Sequence, residues 1–118
     1  MKAAIRRLHS PDVFDLATWR PPEQDFGILV QMLVGPADRP GEESFDVTVC
    51  TAGWLAGLAR ADRVVDARHH LVVDQYDFDE LEKYLQDRVS ACDGSSWDAV
   101  AEELSRLGRW EFEDYRTN

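Results

Sequence analysis

Basic residues are scarce in this sequence. Its 118 residues include 13 Lys and Arg against 23 Asp and Glu, a formal net charge of -10 at pH 7. Phosphate affinity comes from clustered Lys and Arg, so the composition argues against a DNA- or RNA-binding module. Attachment to an anionic membrane is disfavoured for the same reason. No run of about 18 apolar residues occurs, and no membrane span is expected. Cysteine is also rare. Cys50 and Cys92 are too few for a disulfide scaffold and lack Cys-x-x-Cys spacing, so two reduced thiols in a cytoplasmic protein are expected. The opening Met1–Arg7 holds no apolar stretch of signal-peptide length and Pro11 follows soon after, so no secretion signal is expected there. A Gly-rich phosphate loop, a Gly-x-Ser-x-Gly elbow and a His-Glu-x-x-His pair are all missing. Nothing in the sequence calls for an enzyme or a cofactor.

Hydrophobic residues make up 44% and aromatics 10%, enough to build one core without metals or disulfides. The whole chain, 1–118, reads as a single domain, because no linker or low-complexity tract divides it. Charge within it is uneven. Through Val73 there are ten acids and eight bases, whereas from Asp74 onward there are thirteen acids and five bases. The negative surface therefore belongs mainly to the last part of the chain, and a basic partner suits it.

Strands are expected at Lys2–His9, Phe26–Val34, Ser44–Thr51 and Leu71–Tyr76. The third shows the cleanest alternation, with Phe45, Val47 and Val49 on one face. Residues Val13 to Gln24 form an irregular connection carrying Trp19. A short helix is expected around Ala52–Arg60, with Trp54, Leu55 and Leu58 on one side. Asp77 can cap a long helix whose apolar stripe runs through Phe78, Leu81, Leu85, Val89 and Cys92 until Gly94. Ser95 with Asp98 resembles a capping box opening a last helix that closes at Gly108. The expected fold is α+β: a mainly antiparallel sheet of about four strands with about three helices packed on one face.

The chemistry-bearing residues offer few constellations. His69 and His70 are adjacent at a strand start and point to opposite faces, which does not suit one metal. His9 has no ligand partner at a metal-site spacing, and no metal is expected. Cys92 fits the core stripe, and Cys50 ends a strand just before a helix. Trp54 and Trp97 sit at inward helical positions. Trp19, Trp110 and Tyr115 lie outside periodic elements and are freer to be exposed. Acids on the long helix (Asp77, Asp79, Glu80, Asp87), with Asp74 beside them, can form one negative surface with the tail (Trp110, Glu111, Glu113, Asp114, Tyr115). There aromatic anchors would stand among carboxylates. Trp110 and Phe112 can equally alternate inward along a short terminal strand and staple the tail. A small acidic secretion chaperone is the alternative reading, although Pro11 cuts the opening element where a chaperone would carry an amphipathic helix. A small enzyme using scattered carboxylates and His70 is a weaker one, since no substrate is indicated.

Several segments together resemble the immunity protein 8 family of bacterial polymorphic toxin systems. They are Glu43-Ser44-Phe45-Asp46-Val47-Thr48-Val49-Cys50-Thr51 followed by Trp54-Leu55, then Arg68-His69-His70-Leu71-Val72-Val73, and the closing stretch from Leu104 to Tyr115. The opening Leu8-His9-Ser10-Pro11-Asp12 and the Phe26-Gly27 strand fit as well. Where members often carry proline after the threonine at position 51, this chain has Ala52-Gly53. The resemblance implies a small intracellular protein that binds and neutralises a cognate toxin, and it implies no reaction; a monomer or weak homodimer is expected. It assigns no binding residues, so the patch named above rests on charge and aromatics alone.

Overall fold

A computed structural model describes residues 1–111. In chain order it contains β1 (Ala3–His9), β2 (Gly27–Pro36), β3 (Glu43–Thr51), α1 (Ala52–Asp62), β4 (His70–Val73), α2 (Phe78–Ser90), α3 (Trp97–Leu104) and β5 (Arg109–Trp110). The strands form one sheet in the order β1-β2-β3-β4, with β5 also pairing β3. This is the expected α+β architecture with a mostly antiparallel sheet.

Strands β2 and β3 build its centre, because both alternate cleanly between faces. Ile28, Val30, Met32 and Val34 of β2 lie on the same face as Phe45, Val47 and Val49 of β3, and all seven are buried. Leu81, Leu85 and Val89 from α2 and Val100, Ala101 and Leu104 from α3 complete this core. The i, i+4, i+8 spacing of the α2 residues puts them on one stripe.

β4 lies parallel to β3, with Thr48 opposite His70 and Thr51 opposite Val73. A parallel neighbour cannot be reached by a hairpin, so the chain must cross over, and α1 supplies the crossover. This helix departs from the single-face arrangement expected for all three. Its Trp54 ring lies against Gly27, where an added Cβ would come within 2.2 Å of the indole. Gly27 pairs with Cys50 on the face opposite the Val30–Val47 core. The helix starts at a well-defined turn. The Thr51 hydroxyl accepts the Phe26 and Trp54 amides (3.1 and 3.4 Å) and donates to Asp25 at 2.9 Å. A Cβ on Gly53 would lie 2.3 Å from that Asp25 carboxylate. Glycine therefore has a defined place in this turn.

Two further expectations shift. Ser96, not Ser95, caps α3, its side chain accepting the Ala99 amide. Trp19 is not an exposed ring: it is half-buried, edge-on to Phe26 and Tyr76 with centroids 5.4 and 4.8 Å away. This cluster fastens the β1–β2 connection to the end of β4, and the Tyr76 hydroxyl donates to the Leu16 carbonyl. Burial, with the Asp15 carboxylate nearby, pushes the Tyr76 phenol up to about 12 from 10.0. The folded chain thus keeps a proton that the unfolded chain releases from pH 10 upward. The resulting stabilisation is complete below pH 10 and is lost as pH rises through about 12. Tyr76→Phe is expected to remove this component, so the stability difference between wild type and variant shrinks across that window. Denaturant midpoints measured for both proteins from pH 9 to 12 check it.

Candidate functional site

β4 ends at Val73, and the chain turns through Asp74, Gln75 and Tyr76 into α2. Asp77 caps that helix, its carboxylate accepting the Glu80 amide at 3.2 Å. Asp79 and Glu80 follow in the first turn, where the exposed amide ends of the helix favour negative charge. This local rule accounts for acids at the start of α2, but it has no bearing on Asp74, which lies in the turn before it.

Between β4 and α2 lies an open cleft of ≈ 580 Å³. Leu71, Val73 and Leu81 give it an apolar lining, Tyr76 and Tyr84 contribute rings, and Asp74, Asp77 and Glu80 supply carboxylates. Tyr84 is 43% exposed and Val72, at the strand edge, 51%. Among the described residues, the ion pairs are Asp93 with the N-terminus and Lys2, Asp38 with Arg39, Asp87 with Lys83, and Glu103 with Arg106. Within that set Asp74, Asp77, Asp79 and Glu80 have no cationic partner. An apolar floor ringed by uncompensated carboxylates attracts a basic side chain and can desolvate its aliphatic stem.

The acidic and aromatic residues singled out from the sequence are distributed over several places. Asp77 and Glu80 share the cleft with Asp74. Asp79 is exposed on the same helical turn but outside the lining. Asp87 stands two turns along α2, held by Lys83 at 2.9 Å. Trp110 belongs to β5: its ring stacks on the buried Phe45 (6.2 Å between centroids, 9° between planes), and its indole N–H donates to Glu43. Glu111 is exposed, its carboxylate accepting the Ser44 amide at 3.0 Å. Trp110 and Glu111 therefore close the sheet at the start of β3, apart from the β4–α2 cleft. Glu113, Asp114 and Tyr115, and Phe112 with them, lie outside the described residues.

Sequence reasoning missed Tyr84 as a site residue. Its signal was present: it lies beside the Leu81–Leu85 stripe, at a flank position where a ring can cover the helix edge without entering the core. Tyr76 was missed as well, being assigned simply to the end of a strand.

The histidines and cysteines form no comparable site. His69 Nε2 lies 2.7 Å from the Ser105 carbonyl, and His70 Nδ1 lies 3.1 Å from that of Arg68. Cys50 is buried, and burial pushes its thiol up. Cys92 is raised by burial first and by Glu103 next. Both shifts oppose the thiolate that nucleophilic chemistry needs. Among the described residues, no three His, Cys, Asp or Glu converge as metal ligands, and no helix is long and apolar enough to cross a membrane.

The family profile described as Immunity protein 8 matches residues 3–115, nearly the whole chain. No curated protein matches it. No solved structure does so either.

Proposed function

Because the chain belongs to the immunity protein 8 family, we propose that it binds a cognate toxin domain through the β4–α2 cleft and so neutralises it. The observation that carries this reading is the set of carboxylates on Asp74, Asp77 and Glu80 around an apolar floor, none of them in an ion pair with a described residue. The matching partner is a basic protein surface, such as the cleft of a nuclease, which is positive because it receives phosphates. Long-range attraction raises the rate of encounter, so toxin is captured before it acts. Tyr84, which already carries the Arg88 guanidinium 5.9 Å from its ring centroid, and Tyr76 give the cleft aromatic surface. Asp79, exposed on the same helical turn, adds to the attracting field around this centre.

The test is reconstitution with its cognate toxin domain. The expected result is a stoichiometric complex that abolishes toxicity in cells and weakens as salt rises. A complex whose affinity is indifferent to salt would remove the electrostatic basis of the reading.

A further inference from the structure

The cleft borders a strand edge, and that edge specifies more than charge. β4 is the last strand in the sheet order. The Thr48 amide donates to the His69 carbonyl at 2.9 Å, which fixes the parallel ladder. In that register the amides of Leu71 and Val73 face β3, and the N–H and C=O of Val72 turn to the open side. The opposite edge of the sheet is blunted: β1 carries a bulge between Ile5 and Arg7, and Lys2 is bridged to Asp93. Among the described residues, β4 has no such device. Arg109 to Glu111 run along β3 from Asp46 towards Ser44, away from β4.

The two flanks of this edge differ in chemistry. On the α2 side, level with Leu71 and Val73, stand Asp74, Glu80 and Tyr84. On the α1 side, level with Val72, a second groove of ≈ 330 Å³ is lined by alanines with Leu55 and Val65 and contains no charged residue. Successive side chains of a strand point to opposite faces. A strand laid against β4 would therefore send every second side chain among carboxylates and the alternate ones into an aliphatic groove.

We propose, building on the reading of the cleft as the toxin-binding site, that the toxin is held by strand addition: an extended segment alternating basic and aliphatic residues pairs with the free edge of β4. The main-chain bonds supply register, and the two flanks read the alternation. A second copy of this chain is a poor occupant, because pairing two β4 edges brings Asp74 and Glu80 towards their own kind.

The inference is tested with two synthetic peptides of identical composition, one alternating lysine and valine, the other carrying them in blocks. The alternating peptide is expected to bind about ten-fold more tightly by titration calorimetry. N-methylation of its β4-facing amides is expected to abolish binding, whereas N-methylation on its outer edge leaves it unchanged. Val72→Pro removes an outward amide without touching the β3 ladder, so it is expected to lose the peptide while keeping the fold by circular dichroism. Equal binding of both peptides, or none by either up to millimolar concentration, overturns strand addition. If both bind equally and Asp74→Lys weakens both, the acidic cleft stands and only the pairing fails. A concentration-dependent dimer in sedimentation that Val72→Pro dissolves would instead assign the edge to a second copy and overturn the proposal.

Discussion

Replacing Asp74 and Glu80 together by lysine is expected to lower affinity for the toxin roughly 100-fold or more. Juxtaposing like charges across an interface costs several kcal/mol, and each ~1.4 kcal/mol is tenfold in affinity. These two positions are the informative ones. Both are exposed and both line the cleft, and neither side chain caps the helix, whereas Asp77 does. Their reversal therefore tests docking without unfolding α2. Association should slow more than dissociation quickens, and the salt dependence of binding should flatten, because long-range attraction is what has been removed. Asp87→Lys serves as the comparison. That carboxylate already meets Lys83, so a smaller loss is expected. Binding kinetics at two ionic strengths, with protection of toxin-expressing cells alongside, check the outcome. Unchanged affinity and unchanged salt slope in the double variant would move the docking face elsewhere.

The largest effect on stability is expected from Phe45→Ala. The ring is fully buried near the start of β3, with Trp110 stacked upon it. Gly108 approaches so closely that its missing Cβ would sit 3.2 Å from the Phe45 Cβ. A truncated ring leaves a cavity that neither neighbour can fill without dismantling β5. Such changes cost about 3–5 kcal/mol, out of a total of roughly 5–15 kcal/mol for a domain. The expected outcome is a large drop in denaturant midpoint, accompanied by a change in tryptophan emission as the Trp110 indole loses its stack. Phe45→Leu retains most of the volume and is expected to cost markedly less. Equal losses from the two would mean that the site tolerates a void, contrary to its packing.

These variants also separate what could be read along the chain from what could not. Strand β3 and helix α2 were legible because their signals are local: Phe45, Val47 and Val49 repeat every second residue, and Leu81, Leu85 and Val89 every fourth. The Asp77 cap was legible for the same reason, since its bond to the Glu80 amide spans three residues. Trp19 was not. Its burial depends on Phe26 and Tyr76, and Tyr76 lies far along the chain and reaches back to Leu16. The acidic patch divided on the same principle. Composition located the charge in the last 45 residues. Folding then assigned Asp77 and Glu80 to a cleft, tied Asp87 to Lys83, and drew Trp110 onto Phe45.

The sequence by itself determined the class of fold, the composition of the core and the excess of acid, because periodicity, caps and net charge are properties of neighbouring residues or of simple counts. Only the tertiary structure decided that β4 runs parallel, that α1 crosses on the far face, and that among the described residues one strand edge stays open between a carboxylate-lined cleft and an aliphatic groove. Those features arise where β3, β4, α1 and α2 meet, from contacts between segments whose separation along the chain carries no local signal.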